Sequence, residues 1–192
     1  MTKLSENLPI EEARERLRQL ISELAVVRGH VVLASGKEAD YYVDLRRITL
    51  HHEASRLVGQ VMLDLLDKNG IEFEAAGGLT MGADPVGTAI MRAAGDQDRA
   101  IDAFVVRKAQ KSYGMGRQVE GPSVEGRRVV AVEDTSTTGG SPLEAVEALR
   151  EEGATVLAVA VVVDRGTGAR ERIESKGLPY YAALGLADLG LG

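Results

Sequence analysis

The stretch VVAVEDTSTTGGS, Val129 to Ser141, runs from four apolar residues into two adjacent acids and then into small polar residues and glycines. Unbroken apolar runs of this kind suit a strand buried on both faces of a parallel sheet. Glu133 and Asp134 then fall at its carboxyl end, and Thr135, Ser136, Thr137, Thr138, Gly139 and Gly140 turn the chain towards a helix. Ser141, Pro142 and Glu144 predict the start of that helix near Pro142, as a Ser-x-x-Glu capping box with proline at the first helical position. A loop of small residues entering a helix aims several backbone N–H groups at one point, where the helix dipole adds positive potential, so it can hold a phosphate. The hydroxyls of Thr137, Thr138 and Ser141 can donate as well. Two carboxylates beside such a cradle make sense if the ligand carries hydroxyls next to its phosphate, which describes a sugar phosphate. The plainer alternative is a well-capped helix after a polar turn, with both acids solvated. Neither a GxxxxGK[ST] phosphate loop nor a complete GxGxxG after a strand occurs.

Outward from this stretch, short apolar runs alternate with helical patterns: FEAAGGL before a helix from Pro85 to Ala94, IDAFVV before a loop, ATVLAVAVVV before ARERIESKG, and finally YYAAL. That alternation predicts an α/β fold, a parallel sheet covered by helices. Upstream, an amphipathic helix follows Pro9, with Leu17, Leu20, Ile21 and Leu24 on one face. VVLASGKEADYYVDL reads as an extended segment turning at Ser35-Gly36, and a second helix runs from about His52 to Asn69. Ligands of such sheets sit outside the carboxyl ends of the strands, so the strand-to-helix loops are where chemistry is sought.

The 192 residues, 44% hydrophobic, are enough for one core and read as a single domain over 1–192. The absence of cysteine excludes a disulfide framework and a thiolate metal site, and predicts a cytoplasmic protein. A charged N-terminal stretch and a longest apolar run of half a bilayer span predict no membrane segment. The net charge of -6 argues against a general nucleic-acid binder. Against that charge, Arg107, Lys108, Lys111 and Arg117 cluster in VVRKAQKSYGMGRQVEGP, where Gly114, Gly116, Gly121 and Pro122 deny regular structure. Such a loop reads as a lid over a polyanion; a solvated hairpin is the alternative. GGLTMGADPVG, with Thr80 ahead of its helix, is a candidate second anion site or a structural turn. VVVDRGTG ends a strand with Asp164 and Arg165, where the arginine suits bidentate capture of a carboxylate or a base edge, or pairs with Asp164 as a simple salt bridge. His51 and His52 are predicted to diverge on a helix surface, and with His30 they form no metal-ligand pattern.

VVAVEDTSTTGGS resembles the phosphoribosyl pyrophosphate signature of the type I phosphoribosyltransferase family. Within it, RKAQKSYG resembles the lid, and LASGKEADYYVDL the N-terminal hood, of the orotate-using branch; the likeness covers roughly Leu33 to Leu189. The resemblance implies a central mainly parallel sheet flanked by helices, a small hood from about 1–45 plus the C-terminal segment, and a lid loop at about 108–122. It implies that Glu133 and Asp134 hold the ribose hydroxyls of phosphoribosyl pyrophosphate (PRPP) and that Thr135, Ser136, Thr137, Thr138, Gly139, Gly140 and Ser141 hold its 5-phosphate. Thr137 and Arg165 would also contact orotate, with Tyr41 and Tyr42 near its ring. Arg107, Lys108 and Lys111 would serve the pyrophosphate, Tyr113 nearby, with Lys111 reaching across a two-fold homodimer; Lys111, Asp134 and Glu133 are the catalytic candidates. Mg would arrive on the pyrophosphate rather than in a protein site.

Four departures from the family pattern stand out. Tyr113 occupies a position usually held by histidine, Gly82 and Ala34 stand where lysines are common, and Thr135 and Ser136 replace aliphatic residues. The implied function is transfer of the phosphoribosyl group to orotate, giving orotidine 5-phosphate for pyrimidine synthesis. The alternatives are a non-catalytic regulator on the same fold that binds PRPP or nucleotide, and an enzyme for a purine base.

Overall fold

A computed structural model of the protein describes residues 7–32, 38–109 and 118–191. Six strands form the main sheet in the order β5-β4-β3-β6-β7-β8. They are β3 (Ala75–Leu79), β4 (Asp102–Val106), β5 (Val119–Glu120), β6 (Arg128–Ser136), β7 (Thr155–Asp164) and β8 (Tyr180–Gly185). All neighbours pair in parallel except β5, which runs antiparallel to β4 at one edge. A separate antiparallel pair, β1 (Val26–Val32) and β2 (Glu38–Val43), lies ahead of the sheet in sequence. The predicted turn at Ser35-Gly36 between them is outside the described residues.

Side chains of β6 and β7 are buried on both faces, and the pleat sends alternate residues to opposite cores. Val130, Val132, Ala160 and Val162 join a cluster with helices α1 (Ile10–Leu20), α3 (Ala54–Lys68) and α4 (Ala83–Gly95). Val129, Ala131, Val159 and Val161 face the other way, against α5 (Gly140–Glu151) and α6 (Ala169–Glu174). A short helix α2 (Arg46–Thr49) follows β2. Arg14 donates to the Ala183 carbonyl at 2.6 Å and Arg18 to that of Asp188 at 3.4 Å, tying α1 to the C-terminal segment.

Several boundaries correct the sequence reading. The strand carrying the acids does not stop at them: β6 continues through Ser136, because Thr135 and Ser136 keep pairing with Val163 and Asp164 of β7. Helix α5 starts at Gly140, not near Pro142, and no side chain caps it. Gly139, at φ +72, turns the chain two residues ahead of the expected cap, so Ser141 lies inside the first helical turn and the capping box does not form. A Cβ on Gly139 would also come 3.1 Å from Ile173 Cδ1 of α6, so glycine suits the position twice over. Helix α4 begins two residues before Pro85. His51 and His52 do not diverge on a helix. They precede α3 with ring centroids 4.3 Å apart, and His51 Nδ1 accepts from the Ala54 N–H at 3.3 Å.

Candidate active site

The carboxyl ends of β3, β6 and β7 converge, as the topology requires, and the loops leaving them hold most of the singled-out residues. Glu133 is only 6% exposed. Its Oε1 accepts from the Asp134 N–H at 3.1 Å, and Asp134 Oδ1 in turn accepts from the Thr135 N–H at 2.6 Å. Burial, and then the neighbouring Asp134 charge, push the Glu133 carboxyl up to about 8. Burial raises Asp134 as well, opposed by its bond from Thr135 and by the Arg46 guanidinium. Two carboxyls in such contact, one buried and one half-buried, titrate as a unit, and both are pushed upward by burial. Glu133 is therefore not a solvated acid, which removes the plain alternative of two exposed acids.

Thr137 and Thr138 are exposed at the mouth of the loop, and the uncapped first turn of α5 leaves its N–H groups without a side-chain acceptor. An anion cradle here would be built by an absent cap rather than a present one. Ser136 differs: at 2% exposure its Oγ is buried with no hydrogen-bond partner among the described residues, and what it offers outward is its carbonyl, which accepts from the Arg165 N–H at 3.1 Å. Gly140 is half-buried and Ser141 exposed at the helix start.

The loop after β7 is fastened to this cradle. Thr167 Oγ1 donates to the Thr137 carbonyl at 2.5 Å, and Arg172 donates to the Thr138 carbonyl at 3.2 Å. Arg165, half-buried, is held to the same strand end by its N–H bond to the Ser136 carbonyl, one residue before Thr137. Asp164 accepts from the Gly166 N–H at 3.0 Å within its own turn rather than from Arg165.

The loop after β3 reaches the acids more closely than its sequence announces. A Cβ on Gly82 would overlap Glu133 Oε1 and stand 2.8 Å from Asp134 Oδ1, so the backbone lies directly on the acid pair. Thr80 Oγ1 donates to Asp84 Oδ2 at 2.7 Å, and Asp84 adds to the upward push on Glu133. Sequence reasoning noted Gly82 only for the lysine it lacks; the glycine-rich turn was the available signal for close backbone approach.

At the base of the segment predicted as a lid, Arg107 exchanges backbone and amide bonds with Gln118 at 2.9 Å and lies 3.6 Å from Glu120, while Lys108 is exposed. Lys111, Tyr113 and Ala34 are outside the described residues. Tyr41 and Tyr42 sit half-buried on β2, Tyr41 against the core. Arg46, which the sequence reading passed over, stands on α2 close enough to act electrostatically on both Tyr42 and Asp134.

This arrangement has close counterparts. The phosphoribosyl transferase domain family matches residues 54–177, and the chain belongs to that family. It is 61% identical over 181 residues, 94% of this chain and 98% of the other, to orotate phosphoribosyltransferase of Streptomyces coelicolor. A crystal structure of the Mycobacterium tuberculosis orotate phosphoribosyltransferase with Fe(III) dicitrate is 57% identical, with a TM-score of 0.85 over 93% of this chain and 99% of that one. The same mycobacterial enzyme in complex with PRPP aligns at 54% identity and TM-score 0.81, with the same coverage. Within the family the chain thus falls among the orotate phosphoribosyltransferases, which transfer the phosphoribosyl group of PRPP to orotate. The regulator and the purine enzyme find no support in these likenesses.

Proposed function

We propose that the transfer runs at the end of β6, and the observation that carries this assignment is the buried acid pair set between the Gly82 backbone and the uncapped start of α5. The 5-phosphate takes the N–H groups of Thr137 to Ser141, and the ribose hydroxyls donate to Asp134 and Glu133. Orotate lies between Tyr41, Tyr42 and the Thr137–Arg165 corner, where the guanidinium pairs with its carboxylate. The orotate ring nitrogen forms a bond to the anomeric carbon as the bond from that carbon to the pyrophosphate oxygen breaks; the electron pair leaves with pyrophosphate, and the proton of the ring nitrogen passes to water or to the departing pyrophosphate oxygens. Positive charge that develops on the sugar ring is balanced by the acid pair, and negative charge on the leaving group by Lys111, Lys108 and Arg107.

The donor set suits a hard divalent ion. Glu133, Asp134 and Asp84 are oxygen donors, and among the described residues no group of three or more His, Cys, Asp or Glu side chains is arranged as a metal cage. Mg arriving with the pyrophosphate would find oxygen partners in these carboxylates, and would neutralise leaving-group charge. We assign the chain to the cytoplasm and to a homodimer whose Lys111 serves the neighbouring site. Among the described residues no helix is long and apolar enough to cross a membrane.

Subunit mixing tests the shared site. Lys111→Ala and Arg165→Ala chains, each nearly inactive, are exchanged after mild unfolding. Random pairing in a two-fold dimer restores about a quarter of wild-type turnover, because half the dimers are mixed and each mixed dimer has one intact site. No recovery despite demonstrated exchange places the lid in its own subunit's site.

A further inference from the structure

Position 82 cannot deliver a cation to the pyrophosphate: a side chain there would have to pass through the space held by Glu133 and Asp134. The acid pair and Asp84 nevertheless make this corner strongly acidic, and a polyanion must approach it. The cation that faces it comes from another element. Arg46, in the first turn of α2, lines a cavity of about 640 Å³ together with Met81, Asp84 and Pro85 of the β3 loop and its helix, and with Arg56 and Arg92 further along α3 and α4. Its Nε is bonded to Asp44 Oδ1 at 3.0 Å, which orients the guanidinium, and its two terminal nitrogens have no hydrogen-bond partner among the described residues. A guanidinium fixed at one edge and free at the other presents a fork matched to phosphoryl oxygens. The same charge is felt by Asp134 across the loop.

We infer that Arg46 binds the pyrophosphate end of PRPP, supplying from the hood side the charge that the β3 loop does not carry. The inference rests on the assignment of PRPP to this site. Equilibrium binding of Mg-pyrophosphate and of ribose 5-phosphate to wild type, Arg46→Gln, Arg46→Lys and Arg47→Ala separates the two, alongside steady-state kinetics. Arg47 shares the same helix and the same Asp44 partner but does not line the cavity. Arg46→Gln should weaken Mg-pyrophosphate and raise the KM for PRPP about tenfold, with ribose 5-phosphate affinity and the KM for orotate within about twofold of wild type. Arg46→Lys should recover part of the loss, and Arg47→Ala should match wild type. Unchanged pyrophosphate affinity in a folded Arg46→Gln overturns the inference. So does an equal loss for ribose 5-phosphate, which would make Arg46 a prop for Asp134 instead. Wild-type protein that binds neither ligand overturns the PRPP assignment itself.

Discussion

Glu133 carries the most informative physical chemistry of any single residue here. Its carboxyl titrates near 4.5 when unperturbed and at about 8 in the folded protein, raised by burial and by Asp134. Between those values the unfolded chain has lost a proton that the folded chain keeps, so stability falls as pH rises, by at most about 1.4 kcal/mol per pH unit from this group. The contribution is complete below about pH 4.5 and gone above about pH 8. Thermal unfolding against pH in substrate-free protein should therefore show a declining melting temperature from pH 5 to 8, and Glu133→Gln should flatten that decline and be the more stable form above pH 8. Parallel curves for the two proteins would mean that Glu133 ionises freely. The adjacency of the two acids was plain in the sequence. Their burial was not, because Gly82 packs onto them from a loop about fifty positions earlier.

At the scale of elements, the β3 loop and the β6 loop form one unit. Gly82→Ala requires the Glu133 and Asp134 carboxylates to move, since the new methyl meets the far ends of side chains and not backbone. A variant of this kind should keep its melting temperature within a few degrees and lose about tenfold or more in kcat/KM for PRPP, as misplacement of positioning groups by fractions of an ångström does. Gly77→Ala is the contrasting case: its Cβ would overlap the Phe104 carbonyl of β4, and folding itself should suffer. Kinetics and melting of the two variants side by side check the distinction; full activity in Gly82→Ala would detach the loop from the acid pair. Strands β3, β6 and β7 were legible from apolar runs, because strands buried on both faces carry that pattern, and the half-buried β4 and β8 were legible from shorter ones. Two-residue β5 was not, having no period to show, and the start of α5 was misread because Ser141, Pro142 and Glu144 form a cap signature that Gly139 pre-empts by two residues.

Across the whole molecule, the parallel order β4-β3-β6-β7 gathers three loops at one end of the sheet, while β2 and α2 come from the N-terminal part of the chain. The acid pair, the anion loop and Arg165 were readable because each is local in sequence. Arg46 gave no such signal: it belongs to no motif, and only the packing of α2 near α3 and α4 brings it to the loop. The central claim is that the buried acids at the end of β6 hold the sugar of PRPP while orotate is attached. Orotate depletion followed by absorbance with PRPP and Mg, for wild type and for Asp134→Asn, with uracil as the base control, tests it most directly. Wild type should consume orotate and leave uracil nearly untouched, because Arg165 without a carboxylate partner costs roughly 1–3 kcal/mol. Asp134→Asn, still folded, should lose about 100-fold or more. Undiminished turnover in Asp134→Asn, or faster turnover of uracil than of orotate, would contradict the account.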